Sequence, residues 1–179
     1  FTCCQLDLSL ITNTLPSIDI VGVKISINSN DSLHIFVLYV PPSTTVSDYQ
    51  EFLNIFSTIE GTLSDRVIIL GDFNTPNFLK SNDSICISLR NFSQFHNLTQ
   101  CSNVLNKFGC ILDLVFSSFD CTVERSENSL VDEDDHHPSL DINFDLLKKP
   151  YVNFSTNVNI QQFNFKRANY PLLCEQLSS

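Results

Sequence analysis

The chain of 179 residues contains no Met. We therefore expect a piece of a longer polypeptide, since Phe1 is not a translational start. Its opening run, Phe1-Thr2-Cys3-Cys4-Gln5-Leu6, has neither a basic segment nor an apolar one before a cleavage site, so we expect no signal peptide. No apolar run approaches the roughly 20 residues that cross a bilayer, which excludes a spanning helix. Positive charge is scarce, with 10 Lys and Arg against 20 Asp and Glu and a net charge of -10. A general nucleic-acid coat, which needs a basic face, is excluded on that count. The seven Cys (3, 4, 86, 101, 110, 121 and 174) include no C-x-x-C pair and no spaced His partners. Their pattern excludes a zinc module and favours reduced thiols in an intracellular protein. Five N-x-S/T sequons, at Asn30, Asn82, Asn91, Asn97 and Asn153, read as chance in so Asn- and Ser-rich a chain.

What is present is enough for a core. At 42% hydrophobic and 17% charged, the chain is not disordered as a whole, and its length suits one domain, or one domain plus a tail. Half of the acids fall between Asp113 and Asp145, with Arg125 as the one base there, so the net charge says little about the remaining surface. Val21 to Ile27 alternates with the period of a half-buried strand, and Leu33 to Val40 is nearly all apolar, as in a strand buried on both faces. Pro41-Pro42 ends it. Ser47 with Gln50 predicts a capping box, followed by a helix face of Tyr49, Phe52, Leu53, Phe56 and Ile59 and a closing Gly61. Val67 to Leu70 and Ile111 to Phe116 read as short buried strands, and Ile85, Leu89, Phe92 and Phe95 as a second helix. Leu140, Ile142 and Phe144 form a last amphipathic strand, and from Lys148 the pattern dissolves into a linker. Such mixing predicts an α/β or α+β domain over residues 1–147 with a tail over 148–179.

Chemistry-bearing residues gather at three places. Gly71-Asp72-Phe73-Asn74 directly follows a buried strand, so a carboxylate and a carboxamide project together from a stiff scaffold; an ordinary turn is the alternative. Asp113 interrupts the apolar run Ile111-Leu112-Asp113-Leu114-Val115-Phe116, and a buried carboxylate needs a partner unless it lies on a solvated edge. Asp134-Asp135-His136-His137-Pro138 supplies one, because a carboxylate on the far ring nitrogen fixes an imidazole in one tautomer. The adjacent acids could hold a divalent cation through oxygen, which suits Mg2+; for Glu124 to Glu133 a solvated acidic loop is the better reading. Tyr39 could present its hydroxyl at the end of its strand, although a lone Tyr is more often core.

Taken in order, Leu38-Tyr39-Val40-Pro41-Pro42, Ile68-Ile69-Leu70-Gly71-Asp72-Phe73-Asn74, Leu112-Asp113-Leu114-Val115-Phe116 and Asp135-His136-His137-Pro138 resemble the endonuclease/exonuclease/phosphatase superfamily. The nearest likeness, over about residues 15–147, is to the apurinic-like endonuclease domain of jockey-type non-LTR retrotransposon polyproteins. Phe163-Asn164-Phe165-Lys166-Arg167-Ala168-Asn169-Tyr170 resembles the connector to a reverse transcriptase. The resemblance implies a four-layer DNase I-like fold, two sheets flanked by helices, here missing its N-terminal strands. It implies an Mg2+- or Mn2+-dependent DNA endonuclease that nicks duplex DNA in the nucleus and leaves a 3′-hydroxyl for the reverse transcriptase domain of the same polyprotein. By resemblance Asp72 would orient the attacking water, Asn74 and Tyr39 would contact the scissile phosphate, and Asp113 would orient His136. His136 would then stabilise charge at phosphorus, with Asp135 close to the metal.

The pattern also departs from the family. An Asn motif and the Glu that is the main metal ligand are absent, and Asp134 stands where Ser is common. A further phosphate contact between Thr99 and Phe108 has no secure alignment. The alternatives are a non-catalytic remnant of a decayed element, which the missing Glu favours for this polypeptide, or a phosphatase of the same superfamily.

Overall fold

A computed structural model describes residues 1–59, 66–76, 78–130 and 132–146. Gly61, the linker from Lys148 and the connector-like stretch at 163–170 lie outside those residues. Eleven elements follow one another: β1 (Thr2–Gln5), α1 (Ser9–Thr14), β2 (Asp19–Asn28), β3 (Asp31–Tyr39), α2 (Val46–Phe56), β4 (Val67–Asp72), α3 (Ser84–Phe95), β5 (Thr99–Gln100), β6 (Asp113–Ser117), β7 (Cys121–Arg125) and β8 (Leu140–Phe144). Six strands form one sheet in the order β1-β2-β3-β4-β6-β5, and β7 and β8 form a second, two-stranded sheet. Every described pairing is antiparallel except β3 with β4, the pair joined by the α2 crossover.

Strand alternation sorts the core into two layers. Ile20, Phe36, Leu38, Val67, Ile69, Leu114 and Phe116 face the helices, where Tyr49, Phe52, Leu53 and Phe56 of α2 and Leu89 and Phe92 of α3 cover them. Phe56 links these elements, edge-on to Phe36 at 5.0 Å and stacked on Phe92 at 5.7 Å. Each such buried ring contributes roughly 2 kcal/mol through area removed from water. On the other face, Leu33, Ile68 and Val115 pack beneath the β7–β8 hairpin, with Val123, Leu140, Ile142 and Phe144 partly buried against them. Buried Arg66 fastens this layer by donating to the Leu146 carbonyl at 2.8 Å and pairing with Asp31 at 3.1 Å.

Several expectations shift by a residue or two, each for a local reason. The α2 cap is Thr45, whose hydroxyl accepts from the Asp48 N–H, so Ser47 sits inside the first turn and Gln50 reaches across to Ser88. Phe95 is 75% exposed, because the buried face of α3 runs through Cys86, Leu89, Phe92 and Ser93. β3 is not buried on both faces, since Val37 and Tyr39 near its end are about half exposed. The expected acidic loop from Glu124 begins inside β7, where Arg125 pairs with Glu133 at 2.7 Å.

Candidate active site

Three of the expected site residues stand on one rung of the large sheet. Tyr39 is registered with Asp72 and Asp72 with Asp113, so the last residues of β3 and β4 meet the first of β6. They share parity with Ile35, Leu70 and Val115, and their side chains therefore leave on the hairpin-covered face. Gly71 lets the backbones come together here. Its φ is 140°, and a Cβ would lie 1.9 Å from the Leu38 carbonyl oxygen.

Asn74 follows at φ 49°, a left-handed conformation that Asn tolerates. Its backbone N–H donates to Asp72 Oδ1 at 2.9 Å, and its amide donates to Asp72 Oδ2 and to the Val40 carbonyl, both at 2.8 Å. Both amide hydrogens are then in use. Asn74 thus holds the Asp72 carboxylate and the end of β3, where the sequence reading had given it to the scissile phosphate. Tyr39, 42% exposed on the same rung, keeps the position expected of it.

The partner of Asp113 is His137, not His136. His137 Nδ1 lies 3.2 and 3.1 Å from the two Asp113 oxygens, and Nε2 lies 3.7 Å from Asp72 Oδ2. The cause is a turn: Asp134 Oδ1 accepts from the backbone N–H of both His136 and His137, and buried Pro138 fixes the exit. Successive side chains leave this turn on different sides. The His136 ring is exposed and lies on Phe108, with centroids 4.6 Å apart. Asp135, expected close to the metal, is exposed, and both of its oxygens lie 3.0 Å from Lys107 Nζ.

Burial raises the Asp113 carboxyl above its ordinary value, and Asp72 and Asp134 push the same way against the His137 hydrogen bond and charge. The Asp72, Asp113 and His137 donor atoms lie within 4.8 Å of one another. Mg2+ commonly takes one or two carboxylates and completes its shell with water and substrate phosphate. The two aspartates fit such a cation, whereas both nitrogens of His137 already face carboxylates. An uncharged groove of about 560 Å³ between α2 and α3, lined by residues such as Gln50, Asn54, Ser88 and Asn91, offers no comparable chemistry.

Two facing sheets with an acid–imidazole cluster at their strand ends define a DNase I-like domain of the endonuclease/exonuclease/phosphatase superfamily. The fold is similar to the endonuclease domain of TRAS1, a telomere-specific non-LTR retrotransposon, with a TM-score of 0.60. Identity to that domain is 20%, over 82% of this chain and 68% of that one. The endonuclease-reverse transcriptase family model matches residues 33–140, well over half of the chain, and the chain belongs to that family. No curated protein matches it significantly. Within the described residues no helix is long and apolar enough to cross a membrane.

Sequence reasoning missed three features of the site. The role of His137 was hidden because adjacent histidines differ only in the turn that carries them. Asn106 and Phe108 gave a weak signal, since Asn106-Lys107-Phe108-Gly109 reads as an ordinary turn. The Lys107–Asp135 pair spans 28 residues and leaves no local trace.

Proposed function

We propose that the chain carries the catalytic core of a retrotransposon endonuclease that hydrolyses a phosphodiester of duplex DNA, freeing a 3′-hydroxyl for reverse transcription. The carrying observation is the single rung Tyr39–Asp72–Asp113 with His137 closing on it from the connection between β7 and β8. Asp72, held by Asn74, orients and deprotonates the attacking water. The Tyr39 hydroxyl binds a phosphate oxygen. His137, held by Asp113, donates to oxygen as charge builds on the phosphorus. Asp72 and Asp113 would hold Mg2+ or Mn2+, which when bound neutralises the phosphate and the leaving oxygen.

Duplex DNA at a nuclear target site and a reverse transcriptase domain of the same polyprotein are the partners this reading requires. The reading assigns a further metal-binding Glu to an upstream segment, without which Asp72 and Asp113 hold the cation too weakly and residues 1–179 alone do not nick. Asp135, exposed and paired with Lys107, stands outside the Asp72–Asp113–His137 cluster. Conversion of supercoiled plasmid to open circles tests both statements. Residues 1–179 should leave the plasmid intact, and a polypeptide extended upstream through the Glu motif should nick it with Mg2+ and stop with chelator. Nicking by residues 1–179 would overturn the assignment of the Glu, and an inert extended polypeptide would favour a non-catalytic remnant.

A further inference from the structure

The edge of the large sheet farthest from β1 carries two cysteines that the proposed chemistry does not use. β5 is the outermost strand there, and its Thr99 and Gln100 are registered with Ser117 and Phe116 of β6. The register continues one residue further, because the Cys101 N–H donates to the Val115 carbonyl at 2.7 Å. Partners across an antiparallel ladder share a face, so Cys101 lies on the side of Val115, beneath the β7–β8 hairpin. Cys121, the first residue of β7, packs against the same cluster of Val115, Leu33 and Ile68. One cysteine from each sheet thus reaches the same interface. Both are free and partly exposed, and the Cys101 thiol lies in hydrogen-bond reach of the Cys121 thiol. Cys101 Sγ also lies 3.3 Å from the Thr99 carbonyl oxygen, to which it donates. Burial, then the Cys121 thiol and the charge of Asp120, raise the Cys101 thiol above its ordinary value.

We infer that Cys101 and Cys121 form a redox modification site, at which a small-molecule disulfide oxidises the pair to a bond that fastens the hairpin to the sheet edge. The inference goes beyond the endonuclease reading and does not depend on it. The exchange balances in two steps. The thiolate of one cysteine attacks the small disulfide, forming a mixed disulfide and releasing one small thiolate. The second cysteine then gives its proton to solvent and attacks the protein sulfur of that mixed disulfide, which expels the other small thiolate. The protein loses two electrons and the small disulfide gains them. A raised thiol pKa slows these steps by lowering the thiolate fraction, but it does not block the product. The internal bond is favoured over two mixed disulfides because the second thiol is already beside the first. Where thiols are generally kept reduced, disulfides that do form are mostly transient and redox-sensing. Val115 is two residues from Asp113 on β6, and β7 leads into the turn that carries His137. The bond therefore ties the hairpin that supplies the histidine to the edge of the sheet that supplies its carboxylate.

The test equilibrates the full 179-residue chain with mixtures of reduced and oxidised glutathione, alkylates the remaining thiols and maps the disulfides by mass spectrometry. In the folded chain the Cys101 peptide should be joined to the Cys121 peptide, while Cys86, which is buried, carries no glutathione. In urea, where the seven thiols compete on equal terms, that link should be about tenfold less abundant. Oxidation should also lower the unfolding constant measured in urea by about 100-fold, the usual effect of closing a loop of this length, and dithiothreitol should restore it. Cys101→Ser should carry glutathione at Cys121 and show no such change on oxidation. Glutathione on both cysteines of the folded wild-type chain without the internal link, or a link equally abundant in urea, overturns the site. A link that leaves the urea transition unmoved overturns the fastening of the hairpin.

Discussion

The two halves of the active site are held by different means. Tyr39, Asp72 and Asp113 are set by ladder hydrogen bonds of three adjacent strands, and moving one by a residue would turn it to the helix-packed face. His136 and His137 are set by one carboxylate, Asp134, which accepts from both of their backbone N–H groups. Exposure follows the same division, since the Asp72 and Asp113 side chains are 12% and 20% exposed and that of His137 is 41%. The acids thus form the rigid half, which in the proposed reaction fixes where water and phosphate sit. The histidine turn is the half in which a one-residue change of register exchanges one imidazole for another.

The sharpest way to break this comparison is to ask which histidine works. In an upstream-extended polypeptide that nicks plasmid, His137→Ala should lower the rate by about 10²–10⁴-fold, the usual range for such groups. His136→Ala should cost less than about tenfold, because that ring contacts Phe108 and not Asp113. The reverse order would mean that the turn shifts by one residue when DNA and metal bind, restoring the register of the family motif. Equal losses would mean that neither ring is held as described.

A second test strikes the rigid half through its backbone. Gly71→Ala would place a methyl group 1.9 Å from the Leu38 carbonyl oxygen, with the residue at φ 140°. Strand main chain cannot yield as a side-chain tip can. A loss of about 3 kcal/mol or more in urea unfolding is expected, the range of overpacking with backbone strain. A change below about 1 kcal/mol would show that β3 and β4 separate easily at the site, and the contrast between rigid ladder and adjustable turn would fall.

The same division decided what could be read from the sequence. Asp72 and Asp113 were legible because strand period and flanking apolar residues leave an acid few places to go. Tyr39 was legible as a strand end before Pro41-Pro42. The pairing Tyr39–Asp72–Asp113 itself was not, because register between strands far apart in sequence depends on tertiary contacts. Asn74 was legible beside Asp72, but its bond to the Val40 carbonyl was not, because it spans 34 residues. The short strands β1, β5 and β7 escaped notice for a related reason. They carry few buried residues of their own and form by pairing with neighbours.

The smallest expected effect lies on the helix-covered face and checks that the site's behaviour is local. Asp83 caps α3 by accepting from the Cys86 N–H at 2.8 Å, and it also accepts from the Ser81 hydroxyl. The Cys86 backbone hydrogen bond, followed by that of Ser81, holds its carboxyl down from the ordinary 3.8 to about 2. A depressed folded-state pKa means that the ionised cap contributes stability above the unfolded value, and that this contribution is lost as pH falls through 3.8 toward about 2. Asp83 is largely exposed, so solvent screening keeps the charge-dependent part small. Asp83→Ala should therefore lower unfolding stability by about 1 kcal/mol at pH 7, the usual cost of a lost cap, and by less near pH 2. Asp83→Asn should retain most of the cap at pH 7 while removing its pH dependence, as urea melts at the two pH values would report. Nicking by the extended polypeptide should be unchanged in both variants at temperatures where they remain folded. A loss of nicking without a loss of stability would mean that α3 is coupled to the strand ends through the sheet, and that the ladder transmits movement as well as holding position.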